Sequence, residues 1–363
     1  MPATLQNQLE NAVSAVSLPW TGQTLAESGA TVVPGENGDI AITLAPGYSF
    51  AASESRIRSL LAAELDGIDD PDAVPLRIDG EVQRHAVQGT LAPVSGVKNI
   101  IAVSSGKGGV GKSTVAVNLA LALRLEGARV GICDADIYGP SQQIMLGVGA
   151  EQPVSNDGKS FEPIEAHGLQ MISIGNIVDM GQPMAWRGPM VTQALNQLLF
   201  QTNWRDLDYL IVDMPPGTGD IQLTLGQKVP VSGAIIVTTP QDIALADAVR
   251  GLKMFEKVSI PVLGLVENMS TFVCPSCGEQ TPLFGEGGGV ATAAEHGIKL
   301  LGQIPLALRI REETDAGKPT VLAAPDSPQS LVFRDLALAT AAALAQRPRD
   351  YKGAFGGIKV ESS

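Results

Sequence analysis

The sequence predicts a doubly wound, mainly parallel α/β sheet preceded by a small α+β unit, and three observations carry that expectation. From Lys98 onward, short apolar runs alternate with helical segments, with strands expected at 98–104, 128–133, 168–174, 208–213, 233–239, 261–267 and 299–304. A glycine-rich turn, Gly106 to Ser113, separates the first of these strands from a helix expected over 114–125. Carboxylates stand at the ends of two later strands, in Asp134-Ala135-Asp136 and at Asp213, and such sheets bind ligands at the C-terminal ends of their strands.

Residues 1–90 form the α+β unit. Asp39–Leu44 alternates as a strand does, Glu54–Leu65 is helix-like, and Ala73–Ile78 predicts a further strand. Residues 91–97, with Pro93 and Gly96, form a linker to the main domain at 98–346. Leu331–Ala345 predicts an apolar, alanine-rich helix packed in the core, and 347–363 a loose tail.

A chain of 363 residues with 44% hydrophobic and 17% charged residues can bury a large core. No apolar run reaches transmembrane length, and Met1–Gln8 lacks the basic and apolar regions of a signal peptide, which predicts a cytoplasmic protein. The net charge of −13 opposes non-specific attraction to nucleic acid or to an anionic membrane, so neither is an expected partner. Three cysteines make no disulfide framework. The histidines at 85, 167 and 296 are scattered and predict no ligand set.

Gly106–Ser113 satisfies G-x-x-x-x-G-K-[ST], the P-loop pattern, so the main domain is of the P-loop NTPase type. Backbone N–H groups of Gly106, Lys107, Gly108, Gly109, Val110 and Gly111 can cradle phosphates at the start of the helix that Thr114 enters. Lys112 can reach the β- and γ-phosphates and the Ser113 hydroxyl can ligate Mg²⁺, which makes ATP and Mg²⁺ the expected cofactors. A second lysine, Lys107, lies inside the loop. It is either a solvated surface charge or a residue that neutralises a nucleotide held by a second subunit, as an arginine finger does.

Asp134 and Asp136, two positions apart after a strand, suit Mg²⁺ and water positioning or the capping of the next segment. The apolar run Tyr209–Val212 ending in Asp213 is the Walker B arrangement, whose carboxylate holds Mg²⁺ or its waters. Downstream, the backbone N–H of Gly217 can meet a γ-phosphate, and Asp220 either caps a following helix or joins the chemistry. Asn268 carries a donor and an acceptor, enough to read the edge of adenine, or else serves a turn.

Cys274-Pro275-Ser276-Cys277 fits half a zinc site, a redox pair or half a cluster site. A redox pair should open a helix, whereas Pro275, Gly278, Gly285 and 287–289 predict an irregular loop. Metal sites of this kind use about four ligands, so two chains together would complete one, as Zn²⁺ or as a [4Fe–4S] cluster. Cys133 has no partner at ligand spacing and predicts a buried apolar residue.

The stretch Gly106–Thr114 with its first lysine resembles the deviant Walker A ATPases, among them MinD, ParA, the nitrogenase iron protein and the Mrp/ApbC iron–sulfur cluster carriers. Within that group Glu267–Ser270, Cys274–Gly278, Phe284–Gly289 and Trp186–Met190 resemble the Mrp/ApbC carriers, and the resemblance spans roughly 98–345. It implies a homodimer in which Lys107 acts across the interface, Asp136 orients the attacking water, Asp134 supports the Mg²⁺ shell, and Asn268 and Pro305 flank the base. It further implies slow, gating hydrolysis and a labile [4Fe–4S] cluster shared through Cys274 and Cys277, taken from cluster-assembly scaffold proteins and passed to apo-proteins. Two rival functions are a MinD- or ParA-like positioning ATPase and a zinc-stabilised nucleotide switch. Residues 1–90 resemble the small MIP18-type domain fused in front of such ATPases, but Tyr48–Ala51 carries no cysteine, which leaves a docking or stabilising role.

Overall fold

The computed structural model describes residues 2–34, 40–65, 67–68, 70–88, 91–177 and 188–350. Asp39, Gly89, Asp66, Trp186, Arg187 and the tail from Tyr351 lie outside the described residues. The N-terminal part contains α1 (Pro2–Ala15), β1 (Thr31–Pro34), β2 (Ile40–Leu44), α2 (Glu54–Ala62) and β3 (Leu76–Ile78). Next come β4 (Val97–Ser104), α3 (Lys112–Leu125), β5 (Val130–Asp134), α4 (Gln142–Met145), β6 (Ile164–Ala166), β7 (Leu169–Ser173) and α5 (Gly188–Phe200). The chain continues through β8 (Leu207–Asp213), α6 (Asp220–Lys228), β9 (Gly233–Thr238), α7 (Asp242–Lys257), β10 (Val262–Val273) and β11 (Gln280–Thr281). It closes with α8 (Gly288–Glu295), β12 (Leu300–Leu306), α9 (Leu308–Asp315), α10 (Thr320–Ala323) and α11 (Pro328–Ala345).

The main sheet has nine strands in the order β11-β10-β9-β4-β8-β5-β7-β6, with β12 also on β10. All seven expected strands are present and pair in parallel. The two short strands that went unanticipated, β6 and β11, are the antiparallel ones. Their three and two residues are too few to show a period. Strand β10 runs six residues past its expected end at 267, because the polar pair Glu267-Asn268 interrupts the apolar run without ending the strand.

β4 lies at the centre and is apolar on both faces, as a parallel strand covered on each side must be. Ile101 and Val103 join the core beneath α3 and α11, while Ile100 and Ala102 join the opposite core with α5 and α7. This places the end of β4 between the ends of β8 and β9, where connections leave in both directions.

The N-terminal elements add a three-stranded sheet, β1-β2-β3, whose buried Leu9, Val13 and Phe50 are continuous with the core under α3 and α11. Its attachment is polar as well. Glu126, just after α3, accepts from the Ser53 N–H at 3.0 Å, the Ser53 hydroxyl at 2.8 Å and Arg334 Nε of α11 at 2.8 Å. Residues 348–350, at the start of the expected tail, pair with 84–86 through Ala86 N–H to Pro348 O (2.9 Å) and Asp350 N–H to Arg84 O (3.0 Å). Among the described residues no helix is long and apolar enough to cross a membrane.

Candidate functional site

The loop from Ser105 to Gly111 turns sharply between β4 and α3, and its glycines are demanded by space and by backbone conformation. Gly109 and Gly111 have φ of 80° and 81°, in the left-handed region. A Cβ on Gly106 would stand 2.2 Å from the Asp247 carbonyl oxygen of α7, and one on Gly111 would stand 2.2 Å from Asn268 Nδ2. Gly111 is also the residue before α3 and offers no side chain to cap it, which leaves the first-turn N–H groups of Lys112, Ser113 and Thr114 for an anion. A concavity of about 240 Å³ opens here, lined by Gly108, Gly109, Lys112, Ser113, Thr114 and Asp136 among others.

The strand-end carboxylates are buried behind it. Asp134 and Asp213 are register partners on β5 and β8. The buried Lys112 ammonium is ion-paired to Asp213 and lies 3.7 Å from Asp136. Gln142 Nε2 donates to Asp213 Oδ2 at 2.8 Å and to the Ser113 carbonyl at 3.0 Å, so one glutamine ties the Walker B carboxylate to the loop. Its Oε1 is buried without a protein partner, an orphan acceptor that adds to the oxygens of Ser113, Asp136 and Asp213 in this site. That oxygen-rich set suits a hard cation such as Mg²⁺, which Ser113 and Asp213 would hold.

Asp134 is placed differently. Its oxygens accept from the N–H groups of Asp136 (3.1 Å), Ser141 (2.8 Å) and Gln142 (3.0 Å), so it folds the loop that carries Asp136. Any support it gives an Mg²⁺ shell runs through that loop. Burial, and then the charge of Asp213, push its carboxyl upward. Burial likewise raises Asp136, against the pull of Lys112.

Gly217, with φ of 101°, gives its N–H to the Ser105 carbonyl at 2.9 Å. Offering that N–H to a γ-phosphate therefore requires an exchange of partners. Asn268 Nδ2 donates to the Val110 carbonyl at 2.9 Å, so one of its two N–H donors is committed to the loop, and the other and the side-chain oxygen remain for a base. Pro305 follows Ile304, the register partner of Asn268 on β12. Lys107 is half-buried and donates to Gln241 Oε1 at 3.3 Å, immediately before α7. Asp220 is the first residue of α6, and the N-cap position expected of it is held by Gly219.

The cysteines sit in an ordered β-hairpin turn, where the sequence predicted an irregular loop. Phe272 pairs with Thr281 and Val273 with Gln280, while Cys274 closes the turn by bonding Glu279 O and accepting from Gly278 N–H, each at 2.9 Å. The N–H groups of Ser276 and Cys277, and then the Cys277 thiol, point at the Cys274 sulfur and hold it below the ordinary thiol value. Cys277 is exposed and Cys274 partly so. Among the described residues no third metal-binding side chain joins them. Cys133 is fully buried, and burial pushes its thiol up, as its apolar role requires.

These features coincide with a known family. The family model described as the NUBPL iron-transfer P-loop NTPase, of the ParA group, matches residues 96–341. The chain belongs to this family. It is 55% identical to an iron–sulfur cluster carrier protein of Pseudomonas fragi over 280 residues, 77% of this chain and 98% of that protein. It is 53% identical to the carrier protein of Escherichia coli K12 over 79% of this chain and 78% of that one. The iron–sulfur cluster transfer protein NUBPL of Dictyostelium discoideum is 49% identical over 72% of this chain and 81% of its own length. A nucleotide-binding protein of Archaeoglobus fulgidus, solved with ADP, is 36% identical with a TM-score of 0.57, covering 66% of this chain and 92% of that one. Pyrococcus furiosus MinD, at 24% identity and a TM-score of 0.51, shares the fold, covering 66% of this chain and 97% of its own.

Within this NUBPL-type NTPase, motif reading passed over Gln142 and Gln241, which contact Asp213 and Lys107, and it quoted Glu267 and Met269 in a family stretch without giving either a role. Gln142 lies 71 residues from Asp213 in sequence, and no spacing rule joins them. The signal for Met269 is conformational: its φ of 57° is unusual for a residue with a side chain.

Proposed function

We propose that this chain is an ATP-hydrolysing carrier that binds a labile [4Fe–4S] cluster between two copies of itself and passes it to apo-proteins. The observation that carries the reading is the placement of two accessible thiols, with no third ligand among the described residues, at the end of the strand whose Asn268 touches the nucleotide loop. Two such hairpins provide the four thiolates a cluster takes, and thiolates held by so few bonds per subunit release their cargo readily. The names of the bacterial and Dictyostelium relatives support the same cargo.

Lys107 and the cysteine hairpin adjoin the same element. Gln241, which holds Lys107, precedes α7, and the loop after the hairpin packs on Pro240 and Leu245. Ile243, 74% exposed, and the exposed Leu283 and Val290 lie along this stretch, an apolar margin suited to a second copy. In such a dimer Lys107 neutralises charge on the partner's nucleotide, Lys112 holds the phosphates, and Asp136 orients the attacking water. Bound Mg²⁺ would neutralise phosphate charge. Hydrolysis is slow and gates cluster carriage: the Gly217 loop exchanges Ser105 for a γ-phosphate, and the angle between subunits follows. Scaffold proteins that assemble clusters are the donors. The rival positioning function has only the fold shared with MinD in its favour, and the net charge of −13 opposes both DNA and membrane as surfaces.

The test is anaerobic reconstitution with iron and sulfide. Visible absorbance of a cluster should develop in the wild type and be lost in Cys274→Ala and Cys277→Ala. Absorbance that survives both substitutions overturns the site, and zinc binding without such absorbance favours the zinc-stabilised switch.

A further inference from the structure

We propose that Glu267 and Asn268 are positioning residues that fasten both ends of the cysteine-bearing segment near the nucleotide loop, so that a bound nucleotide sets the exposure of Cys274 and Cys277; this rests on the reading of those cysteines as cluster ligands. The two are consecutive on β10, so their side chains leave opposite faces of the strand. Asn268 reaches the Val110 carbonyl at 2.9 Å. Glu267, 1% exposed, accepts from the Gly289 N–H at 2.6 Å and from Gln303 Nε2 at 2.7 Å. The chain leaves the core at Asn268, forms the cysteine hairpin, and returns at Gly289. Both ends of the excursion are thus held by neighbouring residues.

The glycine run before α8 fits this arrangement. A Cβ on Gly288 would lie 3.0 Å from the Pro240 carbonyl oxygen, and one on Gly289 would lie 2.5 Å from Glu267 Oε2. The approach of α8 to Glu267 therefore excludes a side chain at Gly289, and its approach to the Pro240–Leu245 segment crowds one at Gly288. Between the two anchors, Met269 adopts a φ of 57° and the register of β10 on β12 shifts between Asn268 and Phe272. A left-handed residue with a side chain persists only where its surroundings hold it, which makes Met269 the point at which the strand is most easily re-aimed. A phosphate bound to the Gly111 N–H pulls on the same peptide unit whose carbonyl, that of Val110, Asn268 grips, and Cys274 lies about 20 Å further along the strand at most.

The test uses cluster-free, full-length protein and the rate of iodoacetamide labelling of Cys274 and Cys277, with and without a non-hydrolysable ATP analogue and Mg²⁺. In the wild type the analogue should change the rate at least about threefold. Glu267→Ala should still bind the analogue and lose the response, whereas Glu267→Gln, which keeps an acceptor oxygen, should retain part of it. Asn268→Ala, read at saturating analogue, should lose it too and carries the test if Glu267→Ala does not fold. A wild-type rate indifferent to the analogue, or a full response in Glu267→Ala, overturns the proposal. Cluster binding is scored separately by reconstitution, so its failure strikes the assigned cargo and leaves the labelling result standing.

Discussion

The Lys107 ammonium donates to Gln241 Oε1 over 3.3 Å, which tethers a nucleotide-loop lysine to the residue before α7. The tether commits this lysine to the start of α7, whereas the other loop lysine, Lys112, pairs with Asp213.

Lys107→Ala should therefore lower the hydrolysis rate by about 100-fold or more, the scale of a charge supplied in trans, while nucleotide affinity changes little. Gln241→Ala removes the tether and keeps the charge, so its rate should stay within a few-fold of wild type. Steady-state hydrolysis at several protein concentrations, with equilibrium nucleotide binding alongside, separates the two. Normal turnover in Lys107→Ala would contradict the trans role.

The N-terminal unit provides a stability test. Glu126 is fully buried and its carboxylate is balanced by Arg334 from α11 and by Ser53 from the N-terminal unit. Arg334→Ala leaves that charge unpaired and should cost about 3–5 kcal/mol in denaturant unfolding. Glu126→Gln in the same background should recover part of the loss. If Arg334→Ala alone costs less than about 1 kcal/mol, the pair does not hold the unit in place.

His85 predicts a pH dependence. It is 2% exposed, with Nδ1 3.2 Å from Asn99 Oδ1, and burial pulls its pKa below the ordinary 6.5. The unfolded chain then binds a proton as pH falls through 6.5 while the folded chain does not, so stability should decline on the acid side and not between pH 7 and 8. The slope reaches about 1.4 kcal/mol per pH unit for one proton. Unfolding midpoints across pH 5 to 8 should show this component in the wild type and lack it in His85→Asn.

The parts legible in the sequence were those whose cause is local. The apolar run of β4, the glycine pattern of 106–111 and the strand-end Asp213 each announce themselves within a few residues. Helix α1 carries an equally local signal, since Leu9, Ala12 and Val13 recur at helical spacing and are buried, although no helix is among the expectations for that stretch. What could not be read was the assembly of distant chain. Asp134 looks like a metal ligand from its position after a strand, yet the return of Ser141 and Gln142 claims its oxygens. Glu267 looks like an incidental strand residue until α8 arrives 22 residues later to be held by it.

In the proposed dimer, Cys274 and Cys277 of two chains share an iron–sulfur cluster. Iron, acid-labile sulfide and zinc measured in protein isolated without air test it most directly. A shared cluster gives about four iron and four sulfide per two chains, both lost in Cys274→Ala. Stoichiometric zinc with no sulfide would contradict it.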